Sequence, residues 1–189
     1  MAPRRGLDRA AVIGAAEALV DRDGWEYLTM TALAEKLGVR GPSLYGHVEN
    51  IEAVLNAVQV NAMRDLSSEL QRAAMGRSGH DGIRALAAGF RSFAREHPGR
   101  YALAMSEPID RPAHQAASAG AGEAFTAVMH SCGIESVTPQ LQFSCVAPLH
   151  GVLALERAGL FAGAPLDVDT AYASAVELVV ELVERTRAR

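Results

Sequence analysis

The chain has 189 residues with a formal net charge of −4 at pH 7, and 49% of the residues are hydrophobic. This length is sufficient to bury a core, either as one domain or as a small domain joined to a larger one. No uninterrupted apolar run reaches the roughly 18 residues of a membrane helix, and no apolar stretch typical of a signal peptide follows the first six residues. We therefore expect a cytoplasmic protein with no membrane partner.

The sequence gives no indication of metal or catalytic chemistry. Cys132 and Cys145 are far apart and lie outside any metal-ligand spacing. In a reducing compartment we interpret them as small buried apolar residues rather than as a disulfide or a redox sensor. No serine-elbow motif, acid–base array or glycine-rich phosphate loop occurs either. We therefore expect no enzyme activity, no cofactor and no metal.

Apolar residues recur at helical spacing along the whole chain, and no strand-like alternation is long enough to predict a sheet. We therefore predict an all-α fold with about nine helices. The first helix runs from about Asp8 to about Asp23, because Asp8 is a good N-cap and Gly24 favours the end of a helix.

The stretch 28–48 predicts two short helices joined by a tight turn. Thr29 is a good N-cap for the first of them. The apolar face of this helix consists of Met30, Leu33, Ala34 and Leu37. Gly38 allows the sharp turn, and Pro42 suits the start of the second helix, which we place at residues 42–47. Two helices joined in this way form a helix-turn-helix, whose second helix can enter the major groove of DNA.

This stretch resembles the N-terminal domain of the TetR (tetracycline repressor-like) family of transcription regulators. The resemblance extends to residues 13–25 upstream and 48–55 downstream, and its ordered residues are Gly24, Thr29, Leu33, Ala34, Leu37, Gly38, Val39, Leu44, Tyr45, His47 and Val48. It implies a three-helix DNA-binding head at residues 1–48 and a helical ligand-binding and dimerisation body at residues 49–189.

Six further helices are predicted in this body. The first begins after Asn50, its N-cap, and ends near Met75; the others lie at about 81–97, from Pro98 onward, and at about 113–132, 140–158 and 167–187. Residues 97–101 and 149–161 also resemble a C-terminal subgroup of the family that carries a His-Gly pair, here His150 and Gly151. The subgroup usually carries a tryptophan a few residues before this pair, and residues 145–148 of this chain contain none.

The resemblance and the side-chain chemistry together predict the DNA contacts. Ser43 can hydrogen-bond a base edge, and Pro42 can contact a thymine methyl group. His47 resembles the family's phosphate-contacting histidine, and the Tyr45 hydroxyl can also reach a phosphate. Threonines at a helix N-terminus suit a phosphate, the arginine of the turn suits a phosphate or a guanine, and the two N-terminal arginines lie either in the minor groove or in a solvated tail. The complete predicted set is Arg4, Arg5, Thr29, Thr31, Arg40, Gly41, Pro42, Ser43, Tyr45 and His47.

The charge balance limits the affinity that we expect for DNA. Residues 1–50 contain six arginines and lysines against seven acidic residues. Ile51 occupies a position where a phosphate-binding lysine is usual in the family, and Gly41 and Gly46 occupy positions where larger contacting side chains are common. Each missing contact removes phosphate neutralisation, so we expect a modest affinity with a modest dependence on salt.

The two closing helices predict a homodimer, which the resemblance also implies. They offer more apolar surface than a small body needs, and pairing two copies would bury this surface in a four-helix interface. The predicted interface residues are Val146, Leu149, Leu153, Val176, Val179, Val180 and Val183. The alternative is that both helices pack inside one subunit.

The resemblance further implies a small-molecule inducer that binds in the body. Bulky apolar residues beside the small residues 116–122 favour an apolar cavity, although close helix packing would use the same pattern. The predicted lining is Phe90, Phe93, Tyr101, Met105, Phe125, Met129 and Phe143, with His150 as a polar anchor.

The sequence therefore predicts a ligand-responsive transcription regulator. By the resemblance it is a repressor that binds a palindromic operator as a dimer and is released by a small, largely apolar molecule. The alternative is a helical interaction protein of the same fold with weak or lost DNA binding, which the acidic balance, Gly41, Gly46 and Ile51 favour.

Overall fold

A computed structural model gives the structure of the protein and describes residues 7–163 and 165–188. These ranges contain no strand, and they form nine α-helices with a 3-10 helix at Trp25–Tyr27. The α-helices are α1 Arg9–Asp23, α2 Met30–Leu37, α3 Gly41–Leu44, α4 Ile51–Ala74, α5 Gly79–Glu96, α6 Pro98–Ala104, α7 Arg111–Ser131, α8 Pro139–Arg157 and α9 Val168–Arg187. The predicted all-α fold is confirmed.

Three helices start at the N-caps predicted for them. The side chain of Asp8 accepts a hydrogen bond from the amide of Ala11 at 2.7 Å, and that of Asn50 accepts one from Ala53 at 2.8 Å. The Thr29 hydroxyl accepts one from the amide of Ala32 at 3.1 Å. Each cap satisfies one amide that has no partner inside its helix. The helix starts were therefore predictable from short sequence patterns.

The described residues form two compact units, and each is described by itself. The first unit contains residues up to Asp65 and residues His97–Ser118. It includes α1, α2, α3, α6 and the N-terminal parts of α4 and α7. Its core contains Val12, Ala16, Leu19, Val20, Leu33, Leu44, Val48, Val54, Val58 and Leu103. Because Leu103 belongs to α6, this unit extends well beyond the boundary predicted at residue 48. Residues 1–48 remain a prediction for the part that binds DNA.

Helix α6 packs unusually closely against α1. A Cβ atom added to Gly99 would lie 1.8 Å from the backbone oxygen of Val20, so only glycine fits there. The next residue, Arg100, donates from its amide to Asp21 at 2.9 Å and from its Nε at 2.7 Å. Its guanidinium also lies 3.1 Å from a carboxylate oxygen of Asp65 in α4. Arg100 therefore links α1, α4 and α6 through one mostly buried side chain.

The second unit contains residues 66–96 and the described residues from 119 onward. Helices α8 and α9 pack along one another, and α5 packs on α9, where the Tyr172 hydroxyl donates to the backbone oxygen of Ala87 at 2.7 Å. Cys132 and Cys145 are buried free thiols, and burial raises the pKa of Cys145 to about 11. None of the described helices is both long and apolar enough to cross a bilayer.

The close contact of α6 with α1 predicts an unusual sensitivity to one methyl group. We expect Gly99→Ala to lower the free energy of unfolding by about 2 kcal/mol, because the added Cβ would overlap the Val20 carbonyl. Thermal unfolding followed by circular dichroism measures this change.

Gly14→Ala is the matched control within α1. A Cβ at Gly14 meets nothing within 4 Å, so we expect this variant to gain about 0.5–1 kcal/mol from the better helix propensity of alanine. If Gly99→Ala unfolds at or above the wild-type temperature, the close approach of α6 to α1 is wrong.

Candidate nucleic-acid interface

The helix-turn-helix is formed by α2, a tight turn and α3. Gly38 ends α2 in the left-handed conformation with φ of +65°, and Arg40 then adopts extended backbone before α3 begins. Helix α3 is shorter than predicted, because it ends at Leu44 and residues 45–47 form a turn. The amides of His47 and Val48 both donate to the Leu44 carbonyl, at 2.9 and 3.0 Å. The second helix therefore consists of four residues followed by one hydrogen-bonded turn.

Buried side chains determine which side of this motif faces outward. Leu33 of α2 and Leu44 of α3 are fully buried, and Val48 is buried beside them in the core of the first unit. With Leu44 directed into the core, its neighbours Ser43 and Tyr45 point outward, and both are exposed.

The outward side of the motif carries polar groups that have no partner among the described residues. Thr31, Arg40, Ser43 and Tyr45 are exposed, and Tyr45 is 59% exposed. Their side chains make no hydrogen bond or ion pair with any other residue in ranges 7–163 and 165–188. These groups are therefore available to an external partner with phosphate and base-edge hydrogen-bonding groups.

The other predicted contact residues differ in availability. Pro42 is exposed, while Gly41 and His47 are partly buried. Thr29 is exposed, but its hydroxyl already accepts the capping hydrogen bond of α2, so it is less free than Thr31. Arg4 and Arg5 lie outside the described residues.

Several acidic groups of the first unit are engaged within the fold. Asp21 pairs with Arg100, and the Glu17 carboxylate accepts a hydrogen bond from the Asn61 amide at 2.9 Å. Asp23 is paired with the neighbouring Arg22, whose hydrogen bond lowers the pKa of the Asp23 carboxyl. A count of charges over residues 1–50 includes Asp21 but omits Arg100. The acidic count therefore overstates the negative charge that remains unpaired near the motif.

Tyr27 is an exposed aromatic residue that is not among the predicted DNA contacts. It is 74% exposed at the end of the 3-10 helix, two residues before Thr29. Its hydroxyl has no hydrogen-bond partner within the described ranges. Tyr27 does not fit the apolar spacing of the helix before it or of the helix after it, and this could have indicated an exposed side chain. Tyr27 is therefore a further candidate for contact with an external partner.

The chain matches a model of the tetracyclin repressor-like C-terminal domain over residues 83–179. An uncharacterised helix-turn-helix transcriptional regulator of Mycobacterium tuberculosis is 36% identical over 169 residues, which cover 87% of this chain and 75% of that protein.

This chain belongs to the TetR family.

Two further similarities concern a shorter stretch of the sequence and the fold. The tetracycline repressor of class D from Escherichia coli is 44% identical over 57 residues, which cover 30% of this chain and 26% of that protein. A solved protein of unknown function from Rhodococcus superposes with a TM-score of 0.76 at 21% identity and covers 96% of this chain and 98% of its own. The chain is thus a DNA-binding transcriptional regulator, and its curated relatives are regulators rather than enzymes.

The structure corrects the interface that we predicted for a TetR-family dimer. Five of the seven predicted residues are buried inside the second unit, so they contribute no surface for a partner: Leu149, Leu153, Val179, Val180 and Val183. Val146 and Val176 are partly buried. Helices α8 and α9 instead expose Phe143 and Leu178, at 71% and 58%. The apolar valines of α9 pack within the subunit, which was the alternative left open for them.

The residues predicted to line an apolar ligand cavity are divided between the two units. Phe90, Phe93, Phe125 and Met129 are buried in the second unit, whereas Tyr101, which is buried, and Met105, which is partly buried, belong to the first. Phe143 is wrong as a lining residue, because its ring is exposed. His150 is partly buried, and this burial, with a smaller contribution from Arg157, lowers its pKa. The lowered pKa favours the neutral form of His150.

A surface groove between α5 and α9 within the second unit is lined by charged as well as apolar residues. Its charged residues include Arg84, Arg91, Arg95 and Asp169. Each arginine is paired, with Arg84 lying 3.2 Å from Glu177, Arg95 lying 2.9 Å from Glu156, and Arg91 in contact with Asp169. This groove contains none of the predicted lining residues, and its charged groups do not match the apolar site expected from the sequence.

Proposed function

We propose that this TetR-family regulator is a repressor that binds a palindromic operator as a homodimer and is released by a small, largely apolar molecule. The observation that carries the proposal is the set of exposed, unpartnered side chains on the outward side of α2, the turn and α3. Such groups are available for DNA without first breaking bonds inside the protein. We place its action in the cytoplasm, where a bacterial operator is accessible.

In this proposal the motif divides its contacts between bases and phosphates. Ser43 and Pro42 contact base edges in the major groove, and Tyr45 and His47 contact the phosphate backbone. The amides at the start of α2, together with Thr29 and Thr31, receive another phosphate. Arg40 supplies the charged contact, and Arg4 and Arg5 reach the minor groove.

The proposed dimer forms through the outward faces of α8 and α9. On α8 the exposed Phe143 is followed one turn later by the exposed Ala147, and then by Gly151. A Cβ at Gly151 would meet nothing within 4 Å, so this part of the helix is open to close approach. Leu178 supplies an exposed apolar contact on α9. A two-fold pair built on this surface would present two heads to two half-sites.

The proposed inducer acts by shifting a conformational equilibrium. A molecule can release DNA only if it binds the released state more tightly than the DNA-binding state. The buried Phe90, Phe93, Phe125 and Met129 provide the apolar surroundings for it in the second unit. The relationship to a tetracycline repressor agrees with a small-molecule signal.

Removing the charged contact should weaken operator binding. We expect Arg40→Ala to lower the affinity at least about thirtyfold, because each symmetric dimer loses two contacts worth about 1–3 kcal/mol apiece. The slope of log affinity against log salt should also become shallower. Fluorescence anisotropy with DNA from upstream of its own gene measures both quantities, and Arg185→Ala, which removes an exposed arginine of α9, is the control.

Tyr45→Ala tests the same surface without a change of charge. We expect a folded dimer with weakened operator binding and a salt slope closer to that of the wild type. Undiminished affinity in both Arg40→Ala and Tyr45→Ala would exclude the outward side of α2, the turn and α3 as the DNA-binding surface. If the wild-type protein binds no promoter DNA even at low salt, the helical interaction protein becomes the better description.

Charges placed on the proposed dimer surface should separate the subunits. We expect Phe143→Glu and Leu178→Glu to sediment as folded monomers, because the carboxylates would be buried without partners at the interface. Analytical ultracentrifugation measures the mass. Met75→Glu is the control, since Met75 is 77% exposed at the end of α4. Wild-type mass in both interface variants would place the dimer contact elsewhere.

A further inference from the structure

Gln59 of α4 is a fully buried polar side chain within the first unit. It is 0% exposed, and its neighbours along the inner face of α4 are the buried Val58 and Ala62. A primary amide buried among apolar groups is unfavourable unless both its donors and its acceptor are satisfied. This position therefore requires a side chain that can both donate and accept hydrogen bonds, which an apolar residue of the same size cannot do.

The partners of this amide all lie in one segment of the chain, Leu103–Ile109, which joins α6 to α7. The Gln59 Nε2 group lies 2.9 Å from the Leu103 oxygen, 3.1 Å from the Ser106 hydroxyl and 3.2 Å from the Glu107 oxygen. Its Oε1 accepts a hydrogen bond from the Ile109 amide at 2.9 Å. Donor and acceptor ends of one side chain thus hold both ends of the Leu103–Ile109 segment.

Glutamine is required by this arrangement, because the segment offers acceptors at one end and a donor at the other. An ionised glutamate could accept from Ile109 but could not donate to the two carbonyls. A methionine of similar shape could do neither. Apolar packing is non-directional, whereas these bonds fix the angle and the register of α4 against the segment.

The same helix leads directly into the helix-turn-helix. Gln59 lies about two turns after Ile51, the first residue of α4. Val54 and Val58, which lie on α4 between Ile51 and Gln59, belong to the core that contains Leu44 of α3. Because α3 packs in the same core as this part of α4, a contact that fixes the position of α4 here also fixes the position of α3.

We propose that Gln59 is a positioning residue for DNA binding: its amide holds the Leu103–Ile109 segment on α4 and so fixes the orientation in which α4 presents α3. The proposal rests on the proposed function, since it concerns how the same reading head is held. Pre-orienting the head reduces the ordering that DNA binding would otherwise require.

The test replaces the amide by an apolar side chain of similar length. In Gln59→Met we expect the Ile109 amide to exchange with solvent at least about tenfold faster, because its acceptor is gone. We expect operator affinity to fall about tenfold while the dimer remains intact. The slope of affinity against salt should stay at the wild-type value, because no phosphate contact is removed. This unchanged slope distinguishes a positioning residue from a contact residue such as Arg40.

Gln71→Met is the matched control, because Gln71 is an exposed glutamine of the same helix. Ser106→Ala is the milder second variant, since it removes one of the three acceptors and leaves Gln59 in place. We expect it to weaken operator binding about threefold, and it decides the question if Gln59→Met does not fold.

Wild-type operator affinity in folded Gln59→Met, or in Ser106→Ala if the first variant is unfolded, overturns the proposal. In that case the amide has only a structural role, even where exchange at Ile109 is faster. If the wild-type protein itself binds no promoter DNA, the proposed function fails and this proposal fails with it. The two failures are therefore distinguished by the wild-type measurement.

Discussion

The close contact of Gly99 with the Val20 carbonyl determines which helices belong to the first unit. Because no side chain separates the two backbones, Arg100 can reach Asp21 and Asp65, and Leu103 can enter the core of the first unit. Helix α6 thereby becomes part of the same unit as the helix-turn-helix. The helix-turn-helix, which we propose as the DNA-binding surface, is therefore supported by residues about 50 positions further along the chain, and not by residues 1–48 alone.

The helices and their starts could be predicted because their causes are local. Asp8, Thr29 and Asn50 act within three residues of their own positions, and the conformation of Gly38 depends on its own lack of a side chain. Arg100 and Gln59 could not be recognised in this way. The acidic partners of Arg100 lie 35 and 79 residues away, and the partners of Gln59 lie 44 to 50 residues away. The neighbouring sequence therefore does not indicate these long-range bonds.

The predicted dimer surface failed for a different reason. Periodicity identifies an apolar face of a helix, but it does not say whether that face packs against the same subunit or another one. On α9 the face with Val179, Val180 and Val183 is occupied by the subunit's own helices. Phe143 was assigned to a cavity because it is large and apolar, yet its ring lies at the surface. The sequence therefore does not show which apolar side chains are buried inside the subunit and which remain at its surface.

The acidic character of the chain is compatible with DNA binding once partners are assigned. Asp21 and Asp23 are paired with arginines, while Arg40 has no ionic partner within the described ranges. What matters for a DNA contact is the charge at the outward side of α2 and α3, not the net charge of the protein.

Hydrogen exchange of this protein with and without promoter DNA measures whether DNA binds at the helix-turn-helix. We expect DNA to slow exchange mainly at residues 29–47, which form α2, the turn, α3 and the turn that follows. DNA binding that leaves exchange in this stretch unchanged and protects other regions instead would contradict it.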